Sequence, residues 1–142
     1  MTTQLRQEIV TTAVDTLLSG NGFRMCLLKR GRRIGITQAL VTALGNSKTK
    51  LHGIVVCAKD DATNYRSAGV DVITLDEWWS IHKRPFEHDY DFCIVDGGFH
   101  LEPPPKARMQ LFVIDRKIWD DDTAEGERLR RRCANFTQID VE

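Results

Sequence analysis

Six short apolar runs constrain this chain more than any other feature: FRMCLLK (23–29), LHGIVVCA (51–58), GVDVITL (69–75), YDFCIVD (90–96), MQLFVID (109–115) and NFTQIDV (135–141). Most are continuously apolar rather than alternating, which marks strands buried on both faces. Strands of that kind must be covered on two sides, and the stretches between them have helical spacing. The pattern predicts an α/β three-layer sandwich, with a mostly parallel sheet of five or six strands joined by right-handed crossovers.

The helical segments follow from apolar spacing. Leu5, Ile9, Ala13 and Leu17 lie four apart, flanked by Val10, Val14 and Leu18, so 4–18 reads as a leading helix. Ser19-Gly20-Asn21-Gly22 ends it with turn chemistry. Ile36, Leu40 and Leu44 form one stripe over 35–45, with Gly45 expected as the C-cap. Asp60 or Asp61 is expected to cap a short helix ending near Gly69, and Asp76 to cap EWWSIHKR before Pro85 stops it. The stretch 122–133 also reads as helix. In GGFHLEPPPKAR (97–108), Pro103, Pro104 and Pro105 exclude a regular helix, so an exposed loop is expected.

With 142 residues and no linker or repeat, the sequence reads as one domain, 1–142. Its 20 basic and 20 acidic residues cancel, so any case for nucleic acid rests on local clusters. No run is apolar enough to span a membrane, and MTTQLRQEIV lacks a signal-peptide core; the expected setting is cytoplasmic and reducing. The cysteines, Cys26, Cys57, Cys93 and Cys133, form no CxxC pair. The first three lie in strand-like runs, as core residues do.

In such sheets ligands bind beyond the carboxyl ends of the strands. The residues there are 29–37, 58–60, 76–78, 96–100 and 115–117. The first of these, RGRRIGIT (30–37), lies between a strand and a helix. Against the phosphate-loop pattern G-x-x-x-x-G-K-[ST] it keeps Gly35 and Thr37. Arg30 stands at the first glycine, with Gly31 one step late, and Ile36 stands at the lysine. FCIVD (92–96) ends an apolar strand on Asp96, and Gly97 follows.

These two motifs, their order and the strands between them resemble a degenerate P-loop NTPase domain, similar to helicase and phage terminase ATPase cores, over about 23–117. VITLDEWW and MQLFVID also look like segments that flank the acidic motif in that family. The resemblance implies a RecA/helicase-type core with Thr37 and Asp96 as magnesium ligands. In packaging-type members a glutamate after the aspartate activates water; here that position is Gly97. Lacking that glutamate and the loop lysine, the chain is expected to hydrolyse no ATP efficiently and to need no cofactor.

The other signal is basic. Lys29, Arg30, Arg32 and Arg33 crowd a predicted helix start, where free N–H groups and the macrodipole favour anions. With Gly31, Gly35, Thr37 and Asp96 they make a candidate nucleotide or anion site. Arg128, Arg131 and Arg132 share a helical face, so both clusters are candidate contacts to nucleic acid or a partner protein. Acidic residues before the second cluster also make it a dipole-complemented helix. Of Trp78 and Trp79, one is expected in the core and the other at a surface. His52, His82, His88 and His100 lack ligand spacing. His100 with Asp76, Asp96 and Asp115 makes a more remote catalytic cluster.

The sequence therefore points to a non-catalytic, ATPase-like component of a nucleic-acid-processing machine, of a size that suits viral or mobile elements. The main alternative is an active ATPase with an arginine-rich phosphate loop. The second is an inhibitor using the fold as a protein-binding surface.

Overall fold

The computed structural model describes residues 1–31, 35–81, 90–97 and 105–141, with 79–81 as backbone only. It shows six strands and six helices in the order α1 (Thr3–Leu17), β1 (Arg24–Lys29), α2 (Ile36–Asn46), β2 (Gly53–Cys57), α3 (Ala62–Ser67), β3 (Asp71–Thr74), α4 (Leu75–Ile81), β4 (Tyr90–Asp96), β5 (Ala107–Asp115), α5 (Arg116–Trp119), α6 (Ala124–Arg132) and β6 (Thr137–Asp140). The strands form one sheet ordered β3-β2-β4-β5-β1-β6, and every pairing is parallel. Among the described residues no helix is long and apolar enough to cross a membrane.

The apolar runs are divided between two cores by the pleat of the sheet. Met25 and Leu27 of β1 face α1 and α2, joining Val10, Val14, Leu17, Leu40 and Leu44. Cys26 and Leu28 face the other way, toward Trp78, Trp119, Leu129 and Phe136. Alternate residues of one strand thus serve opposite layers, which is why the runs do not alternate in polarity. All four cysteines are free and buried in these cores. Trp78 is a core residue; the side chain of Trp79 lies outside the described residues.

Several local expectations are corrected. Gly45 lies inside α2, and Ser47 is the C-cap. Asp61 precedes α3 after a short 3-10 turn at Lys59–Asp61, but its side chain makes no capping bond. Asp76 falls within α4, and Thr74 does the capping instead. The Glu77 N–H donates to Thr74 Oγ1 at 3.2 Å, while the Thr74 N–H donates to Glu77 Oε1 at 3.1 Å, a reciprocal capping box. The exposed loop expected through residue 108 ends earlier: Pro105 is buried and β5 begins at Ala107. A short helix, α5, was not expected; Asp115 caps it by accepting from the Lys117 N–H at 2.9 Å. Pro85, Pro103, Pro104, His82, His88 and His100 lie outside the described residues.

Candidate functional site

The sheet order decides which carboxyl ends meet. β5 alone separates β1 from β4, so the start of α2, just after β1, comes beside the end of β4. There the Thr37 hydroxyl donates to Asp96 Oδ2 at 2.8 Å. Two residues 59 apart in sequence, singled out from separate motifs, are in direct contact.

Asp96 is nearly buried, at 8% exposure, and a second donor satisfies it. Tyr65, one turn into α3 and fully buried, donates its phenol to the same Oδ2 at 2.6 Å. Burial first, then the charge of Asp96 and this hydrogen bond, hold the Tyr65 phenol well above its ordinary range, so it remains a donor. The surroundings respond to the same carboxylate. Burial, then Asp96, pushes the Cys57 thiol up to about 12. Burial, then the charges of Asp96 and Asp60, raises the Asp61 carboxyl, with Lys29 opposing. The pocket around Asp96 thus favours protonated, uncharged neighbours.

Gly35 sits at the N-cap of α2 with φ 89°, a left-handed conformation suited to glycine. A β-carbon there would stand 3.6 Å from the Arg6 guanidinium, so α1 brings a cation to the start of α2. Arg6 Nε is buried with no hydrogen-bond partner among the described residues. A cleft of about 410 Å³ opens here, lined by Lys29, Gly35, Ile36, Thr37, Gln38, Asp61 and Asn64. On the other side of the β1 terminus, Arg30 and Gly31 border a wider cleft of about 740 Å³ with Asp115, Arg116, Lys117 and Asp121.

The two diagnostic absences have structural counterparts. Ile36, at the lysine position, is 2% exposed and belongs to the core beneath α2. Gly97, at the glutamate position, has φ 85°, so a glutamate there would be strained as well as new.

The described members of the two basic clusters are not brought together. Lys29 and Arg30 end β1, whereas α6 runs back from the carboxyl end of the sheet toward the start of β6. Arg131 and Arg132 therefore lie near the opposite end from Arg30. Arg128 and Arg131 are exposed, and Arg131 pairs with Glu127 at 2.5 Å. Arg130 binds the carbonyls of Trp119 and Asp121, tying α6 to the end of α5. Arg32 and Arg33 lie outside the described residues, as does His100 of the remote cluster with Asp76 and Asp115. Among the described residues, no three His, Cys, Asp or Glu side chains form a group that could hold a metal.

Sequence reasoning missed Tyr65 and Arg6. Tyr65 carried no motif, and its role needs β2 and β4 to be neighbours. Arg6 reads as the polar side of an amphipathic helix. Comparison with protein-family models, curated proteins and solved structures finds no match.

Proposed function

We propose that this is a degenerate ATPase-like domain that acts without catalysis, as a binding or regulatory component of a nucleic-acid-processing machine. The observation that carries the reading is the Thr37–Asp96 contact at 2.8 Å, closed further by Tyr65 on the same oxygen. A hydroxyl at a helix start touching a strand-end aspartate is the arrangement that a magnesium–phosphate site uses. Here the shared oxygen already has two internal donors. A metal taking that same oxygen would compete with both hydroxyls.

Three further features support a site that no longer turns over ATP. The lysine position is filled by a core residue. The position after Asp96 is a left-handed glycine that offers no group to polarise water. The pocket is poorly solvated, since burial is the leading cause of the raised Asp61 carboxyl and Cys57 thiol, and it disfavours added charge.

The rival reading, an active ATPase with an arginine-rich loop, is favoured by Lys29 and Arg6 at the start of α2. Phosphate release from ATP with magnesium separates the two. The proposal expects no turnover above the protein-free blank. Turnover that disappears in Thr37→Ala or Asp96→Ala would overturn it.

A further inference from the structure

The sheet has an open edge at β6. As the last strand in the order, it pairs with β1 alone. The Val141 N–H donates inward, to the Leu28 carbonyl at 3.1 Å. Backbone groups alternate sides along a strand, so Thr137 and Ile139 also turn toward β1, while Gln138 and Asp140 turn outward. The outward N–H groups of Gln138 and Asp140 have no hydrogen-bond partner among the described residues. Edge strands are commonly protected by lysine, proline or a bulge. Thr137–Asp140 reads Thr-Gln-Ile-Asp and has none of these; its one charge, Asp140, is held by Arg116 at 2.5 Å.

The face of β6 toward α1 is also uncovered. Thr137 is exposed and Ile139 only half-buried. Both line a groove of about 420 Å³ with Leu5, Ile9 and Thr12 of α1 and with Phe23 and Met25. Leu5 is 46% exposed and Phe23 41%, two of the three large apolar side chains left in solvent among the described residues. The other face of β6 carries Gln138 and Asp140, on the side of Arg116. The edge thus has an apolar side and a polar side.

An occupant of this edge must bring backbone groups that match it, and β6 itself does. We propose that two copies of this chain pair through β6, antiparallel about a twofold axis, into one continuous sheet. In an antiparallel ladder the hydrogen-bonded pairs join residues whose backbone groups point at each other. With the axis on Ile139, Gln138 faces Asp140 of the partner subunit, and every outward N–H of both strands meets a carbonyl. An axis on Gln138 would set Asp140 against Phe136 of the partner subunit, and the Phe136 N–H is already donated to the Cys133 carbonyl at 3.0 Å. An axis on Asp140 would set like carboxylates opposite each other. The Ile139 register instead brings the two Ile139 side chains together on the groove side, and the Gln138 amide beside Asp140 of the partner subunit on the polar side. The two grooves then join into one apolar trough across the axis. Such an interface is isologous and closes at two copies. The proposal is independent of the Thr37–Asp96 reading, which concerns the carboxyl end of the sheet.

Sedimentation equilibrium of the whole chain tests this from about 1 to 200 µM, where interfaces of modest area associate. The mass is expected to double across that range. Gln138→Pro removes an N–H that the single chain leaves unused, a change that edge strands tolerate. It is expected to keep the far-UV circular dichroism and to remain monomeric. Ile139→Cys reads the register. Residues facing each other in a non-hydrogen-bonded pair have Cα atoms about 4.5 Å apart, within disulfide reach. Oxidised glutathione, itself reduced to two thiols, is expected to link that variant into a dimer on a non-reducing gel. Gln138→Cys, diagonal to its copy at about 7–8 Å, is expected to link at least about tenfold less. The four native cysteines are free and buried, so the parent is expected to stay unlinked. A monomer at every concentration would overturn the proposal and leave the edge to a strand of another protein. A dimer that survives Gln138→Pro, or Gln138→Cys linking in place of Ile139→Cys, would overturn it too. ATP turnover bears on the Thr37–Asp96 reading alone.

Discussion

Replacing Tyr65 with phenylalanine isolates the closure of the Asp96 site. The ring is fully buried and stays so, and only the hydroxyl is lost. That hydroxyl makes a 2.6 Å hydrogen bond to a nearly buried carboxylate, and bonds to charged acceptors contribute roughly 1.5–3 kcal/mol. Unfolding entropy of about 2.1 cal/mol/K per residue gives roughly 0.3 kcal/mol/K for this chain. Tyr65→Phe should therefore lower Tm by about 5–10 °C in a melt at neutral pH. Thr37 donates to the same oxygen, so Tyr65→Phe and Thr37→Ala should be non-additive, with coupling of about 0.5–3 kcal/mol in a double-mutant cycle. A Tm change below about 2 °C, less than half the smallest loss expected from such a bond, would refute the reasoning. It would mean that water satisfies Asp96 without the phenol.

Three other outcomes follow from the same geometry. A β-carbon at Gly53 would lie 2.0 Å from the Phe92 ring, so Gly53→Ala should overpack the core by about 1–3 kcal/mol and lower Tm by several degrees. Folding raises the Asp61 carboxyl, so its charged form costs stability above the folded pKa, and that cost vanishes below the unfolded value. Asp61→Asn should thus raise Tm at neutral pH, with the gain shrinking as acid is added; a gain that grew with acid would contradict the sign. Introducing the residues that the phosphate-loop pattern would have, Ile36→Lys with Gly97→Glu, should give no ATP hydrolysis. It should also destabilise the fold by at least about 2 kcal/mol, through lost core burial and left-handed strain, read in a urea melt.

Most of the fold was legible because it rests on period. Each strand run became a strand, and the leading helix and α2 lie where apolar spacing put them, since burial of those stripes dominates local preference. Helix starts were less legible. Asp76 was a good capping residue by type, but the capping box of Thr74 and Glu77 starts the helix two residues earlier. Gly45 resembled a helix end, yet α2 continues past it. The candidate site was half legible. Thr37 and Asp96 were found as the ends of two motifs, but their contact depends on strand order, which apolar runs do not encode. Tyr65 and Arg6 were invisible because each acts across elements.

The central claim is that the Thr37–Asp96 centre is closed and holds no nucleotide. A thermal melt with millimolar ATP and magnesium tests it most directly. A ligand at 100 times its dissociation constant adds about 2.7 kcal/mol, roughly 9 °C for a chain of this length. The account predicts an unchanged Tm. A rise of several degrees that is lost in Asp96→Ala would contradict it.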